Sequence, residues 1–179
     1  MEQSHIPPVI AQAHKTLSNA ETTMRQQCAM LSAAAGKDIM DADKMVEHMD
    51  LFLKLICLDL ASADGKITEE EAELLNAIFQ QSWPAEQYAA LHYDLHNEYP
   101  DLISRDMGSR LLACNITIAR LMRETYDPKE DWLLKTIETI GETVIRIDRD
   151  VDPEEKKRLA ETMDRIHKEA LSLLEHLVL

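Results

Sequence analysis

Apolar residues recur every three or four positions along nearly the whole chain and nowhere alternate with period two, so the pattern admits helices and no strands. Composition argues the same way: only 4 glycines punctuate 179 residues, while the good helix formers Ala, Leu, Met and Glu abound. With 45% hydrophobic residues the chain can close a real core. The expected fold is therefore all-α, a compact bundle of about seven helices with short connections.

The first helix starts after Pro7-Pro8, with Ile10, Ala13, Leu17, Ala20, Met24, Cys28 and Leu31 as one narrow stripe and Gly36 as its stop. A second spans 41–63, with Met45, Met49, Phe52, Leu53, Ile56, Cys57 and Leu60 at core spacing. Asp64-Gly65 breaks it, because glycine tolerates the left-handed backbone of a tight turn. Thr68-Glu69-Glu70-Glu71 is a capping box that opens a third helix, to about Gln80. A fourth follows over 84–97 and a fifth over 104–125. Asp127-Pro128-Lys129-Glu130 combines an N-cap, proline at the first helical position and an acid at the third, and so predicts the start of the sixth helix. Asp152-Pro153-Glu154-Glu155 repeats that signal and opens the seventh.

The net charge of −14 is unevenly spread. Residues 1–40 balance three cations against three acids, 41–100 set three cations against 13 acids, and 101–179 set 13 against 17. No Lys or Arg occurs between Lys66 and Arg105. Such a field repels phosphate backbones and attracts cations or a protein with a basic surface, which argues against direct nucleic-acid binding. The neutral start divides the chain into an N-terminal appended helix, 1–40, and a helical domain, 41–179, and the stripe over 9–35 offers a seam for a homodimer. MEQSHIPPVIAQ lacks the pattern of a signal peptide. The longest apolar run, 51–63, is broken by Lys54 and Asp59 and is too short for a bilayer. The expectation is a cytoplasmic protein without membrane insertion, its Cys28, Cys57 and Cys114 buried as free thiols.

The sequence also repeats itself. At a constant offset of 84, Asp64 falls on Asp148, Ile67 on Val151, Thr68 on Asp152 and Glu70-Glu71 on Glu154-Glu155. Upstream, Leu53 and Ile56 fall on Ile137 and Ile140, and downstream Leu75 falls on Leu159. Each copy reads as apolar helix, Asp-bearing turn, one aliphatic and a capped acidic helix, which implies a pseudo-twofold helix-turn-helix pair.

The first copy, Leu58-Asp59-Leu60-Ala61-Ser62-Ala63-Asp64-Gly65-Lys66-Ile67-Thr68-Glu69-Glu70-Glu71, resembles the signature of the TerB-like (tellurite-resistance B-like) domain family. The resemblance covers roughly residues 41–176 and departs at Arg149, where the pattern prefers Gly, and over 83–104. It implies a helical bundle with acidic patches suited to divalent cations and a non-enzymatic role in stress-linked or membrane-associated assemblies, tellurite resistance among them.

Asp64 and Glu71 lie across one turn, as do Asp148 and Glu155, so each pair is a candidate cation site. Oxygen-only ligands suit Ca²⁺, Mg²⁺ or Mn²⁺. The same acids are also what helix capping and the helix dipole require, with no metal at all. Leu60 at the first ligating position, and Arg146 and Arg149 inside the second loop, argue against a normal calcium EF-hand. Three function classes follow: an interaction or scaffold module with an acidic, cation-binding surface; a metal-dependent enzyme using the carboxylates of both turns; or a helical dimerisation module.

Elsewhere, His92-Tyr93-Asp94-Leu95-His96 sets two imidazoles one turn apart on a helix, a spacing that can bind zinc, without the glutamate a zincin needs at position 93. Solvent-facing histidines are the plainer reading. Paired Glu-x-x-His motifs, phosphate-cradling glycine loops and nucleophile elbows are missing. Trp83, Trp132 and the Met40, Met45, Met49 series read as packing residues.

Overall fold

The computed structural model describes residues 8–38, 40–62, 66–97, 107–147 and 153–177. Seven helices carry them: α1 (Pro8–Ala35), α2 (Ala42–Ala61), α3 (Glu69–Phe79), α4 (Ala85–Asn97), α5 (Met107–Leu121), α6 (Trp132–Ile147) and α7 (Pro153–Leu177). The fold is an all-α bundle, and among the described residues no strand occurs. No helix there is long and apolar enough to cross a membrane.

Helix α2 is the hub of the bundle and packs on α1, α4, α5, α6 and α7. Its buried residues Met49, Phe52, Leu53, Ile56, Cys57, Leu58, Leu60 and Ala61 reach round most of its circumference, as a central helix requires. Helix α6 lies against α2, so the leading helices of the two repeat copies meet at the centre. The residues matched at the offset of 84 are core in both copies: Leu53 with Ile137, Ile56 with Ile140, and Leu75 with Leu159 are all buried.

The stripe of α1 is buried too, at Ile10, Ala13, Leu17, Ala20, Met24 and Cys28, and it rests on α2, α3 and α6. That apolar face is therefore occupied within the chain, and a homodimer through 9–35 would have to use the remaining, polar faces. The three cysteines are free thiols, Cys28 and Cys57 buried and Cys114 half-buried. Burial pushes all three upward in pKa.

Helix ends follow the local chemistry. Asp41 caps α2 by accepting from the backbone N–H of Asp43 and Lys44. Thr68 and Glu71 form the expected capping box at α3. Gly36 takes the left-handed conformation, φ 66°, that closes α1. Gln80 and Arg123 do the same without being glycine, and in each case the next backbone N–H bonds back to the final turn, Gln81 to Asn76 and Glu124 to Ala119.

Helix α6 begins later than the Asp127-Pro128 signal predicts. Asp127 caps only an isolated turn, accepting from Lys129 N at 2.9 Å, and α6 starts at Trp132 with Asp131 as its cap. Asp131 accepts from Leu133 N and Leu134 N at 2.9 and 3.1 Å and takes both bonds of the buried Asn115 side chain, at 3.2 and 3.0 Å. A buried acceptor with that many donors outcompetes an exposed cap. Burial still pushes the Asp131 carboxyl above its ordinary pKa, against the pull of Asn115 and the two backbone donors.

Candidate functional site

Of the residues expected to hold a cation, Asp64 and Asp148 lie outside the described residues. Glu71 sits in the first turn of α3, where one carboxylate oxygen is taken by the cap: Thr68 N and Thr68 Oγ1 donate to Glu71 Oε2 at 2.6 and 2.9 Å. Glu71 N returns a bond to Thr68 Oγ1 at 3.2 Å. Glu155 is half-buried in the first turn of α7. Among the described residues, neither glutamate belongs to a group of three converging metal-ligating side chains.

Such a group does form elsewhere, from Asp59, His92 and His96, whose ligating atoms all lie within 4.8 Å of one another. The two histidine Nε2 atoms meet the same oxygen, Asp59 Oδ1, at 2.8 Å for His92 and 2.7 Å for His96. The imidazole rings stand nearly perpendicular, with centroids 4.6 Å apart. Ser62 Oγ, at the C-cap of α2, lies 3.5 Å from His92 Nε2.

Helix packing builds this arrangement. Tyr88 and Leu95 are the buried anchors of α4. His92 and His96 follow Tyr88 at successive steps of four, so they continue the packed stripe along the rim of the helix. Asp59 stands between buried Leu58 and Leu60 in the last turn of α2, on the side that α4 covers. At the other end, Asn76 ties α4 to α3: its amide donates to Trp83 O at 2.8 Å, while its carbonyl accepts from Trp83 N at 2.9 Å and Tyr88 Oη at 3.0 Å. Both ends of α4 are thus fixed, and the histidines are presented at a set height above Asp59.

The cluster is open to water. Side-chain exposure is 48% for Asp59, 41% for His96 and 25% for His92. In the sequence the histidine pair stands out by its spacing, but its carboxylate partner lies 33 residues upstream of His92. Asp59 itself is visible there only as a polar interruption of the apolar run of 51–63. Lys54, the other interruption, is buried: its Nζ pairs with Asp50 Oδ2 at 2.5 Å and lies over the rings of Phe79 and Trp83, 5.3 and 5.7 Å from their centroids.

Comparison with protein-family models, curated proteins and solved structures returned no match.

Proposed function

We propose that this chain is a non-enzymatic binding module that presents an acidic surface to cationic partners, first among them a protein with a basic surface. The observation that carries the reading is the placement of charge. Helices α3 and α4 contain six carboxylates and no Lys or Arg, and Glu69, Glu70, Glu73 and Glu86 are exposed on them. An open groove of about 480 Å³ beside α3 adds Glu21, Asp43, Glu47 and Asp50, although Arg25 pairs with Asp43 and Lys54 with Asp50. One-signed fields of this kind raise the association rate of oppositely charged partners. The resemblance of residues 58–71 to the TerB-like signature supports the same class of role.

The test is titration of the full chain with a Lys/Arg-rich peptide at increasing salt. Binding should weaken steadily as salt rises, and the combined Glu69→Lys, Glu70→Lys and Glu73→Lys variant should bind about tenfold or more weakly. An affinity indifferent to both salt and charge reversal would remove this reading.

A further inference from the structure

We infer that Asp59, His92 and His96 form a binding site for a borderline divalent transition metal of the zinc class, bridging the last turn of α2 to α4. The inference goes beyond the acidic-surface reading and rests on a different observation, the convergence of two imidazole nitrogens on one carboxylate oxygen. Two nitrogen donors and one oxygen donor suit Zn²⁺, Co²⁺, Ni²⁺ or Fe²⁺, whereas Ca²⁺ and Mg²⁺ require shells made of oxygen. The ion is therefore of another class than the acids of the two turns would select.

The geometry needs little change to accept it. Zinc-class ions bind imidazole nitrogen and carboxylate oxygen at roughly 2.0–2.2 Å, so two ligand atoms on one ion stand roughly 2.9–3.4 Å apart, depending on coordination number. The observed separations of 2.8 and 2.7 Å fall just short of that range. Small side-chain movements of partly exposed residues open the space. Without metal, each Nε2–H donates to Asp59; the ion takes the place of those two protons, and each ring shifts its proton to Nδ1. The hydrogen-bonded state thus holds both rings in a metal-ready orientation.

Three protein ligands leave at least one coordination position, which faces solvent beside Asp59 and His96. Because one ligand comes from α2 and two from α4, occupancy cross-links helices far apart in sequence. Binding should therefore stabilise the fold as well as hold the ion.

The experiment is calorimetric titration of the full chain with ZnCl₂ near neutral pH, with Co²⁺ absorption as a spectroscopic readout. Saturable one-to-one binding is expected, with Co²⁺ giving visible bands typical of nitrogen and oxygen ligation. His92→Ala, His96→Ala and Asp59→Asn should each weaken Zn²⁺ binding by about tenfold or more, and Glu71→Gln should leave it unchanged. Circular dichroism of each variant without metal checks that the helices persist, and the partial exposure of all three positions makes that the expected result. The site assignment is overturned by no Zn²⁺ binding, by binding that survives the His92→Ala/His96→Ala double variant, or by Ca²⁺ binding more tightly than Zn²⁺. Peptide capture without Zn²⁺ binding would likewise overturn the metal site while leaving the acidic-surface proposal in place. Zn²⁺ binding lost in the histidine variants supports the site whether or not the basic peptide binds.

Discussion

Lys54 places an ammonium group where α2 is otherwise apolar, with a side chain only 7% exposed against 27% for its partner Asp50. The pair is unequal, and that sets its energetics. Removing the carboxylate strands a buried cation between two aromatic rings, whereas removing the cation leaves a carboxylate that water can still reach. Asp50→Ala should accordingly cost about 2–4 kcal/mol in urea denaturation, and Lys54→Met, which keeps the volume and the contact with Phe79 and Trp83, about 1 kcal/mol or less. Equal losses in the two variants would contradict this account. Lys54 and Asp59 also mark what can be read at this scale. Both are visible in the sequence as polar breaks in an apolar run. Their roles are not: beyond its neighbour Asp50, Lys54 is placed by Phe79 of α3 and Trp83 of the α3–α4 connection, and Asp59 by His92 and His96 of α4, all of which sequence distance hides.

At the scale of helices the sequence was legible where the signal is local. Stripes, the Thr68 capping box and the glycine stop at Gly36 all depend on residues within one or two turns of each other. The start of α6 departs from the Asp127-Pro128 signal because its deciding contact, Asn115 with Asp131, joins α5 to the cap of α6. Close helix approach is hidden for the same reason. A methyl group at Gly108 would overlap the ring of Phe52, and one at Gly141 would stand 2.7 Å from a Leu159 methyl. Phe52 is a stiff ring buried in the core, only 4% exposed. Alanine in a helix interior normally gains about 1 kcal/mol over glycine. Here Gly108→Ala should instead lose about 1–3 kcal/mol, because overpacking of a rigid ring outweighs propensity. Gly141→Ala should lose less, since a leucine terminus can rotate. Denaturation midpoints of the two variants decide it, and stabilisation by Gly108→Ala would show that α2 and α5 yield easily.

For the molecule as a whole, the open question is whether the neutral first helix is an addition to an acidic domain or a part of it. Composition separates the two near residue 40, but composition reports surface charge and says nothing about where a stripe is buried. The stripe of α1 rests on α2, α3 and α6, and so touches both repeat copies. Ile10, Leu17 and Met24 are each less than 10% exposed. Burying a side chain of that size contributes about 1.5–3 kcal/mol, and domains of this kind are stable by only about 5–15 kcal/mol in total. Removing α1 would forfeit those three side chains together with Ala13, Ala20 and Cys28, and would bare the faces of α2, α3 and α6 that they cover. A fragment starting at residue 38 should therefore lose its cooperative thermal transition and bind a hydrophobic dye while keeping much of its helical circular dichroism. Cooperative melting of the fragment within a few degrees of the full chain would show the opposite: an acidic domain that folds alone and carries α1 as an attachment. The outcome also bears on function, because α3, which carries most of the exposed glutamates of the acidic surface, is one of the helices that α1 supports.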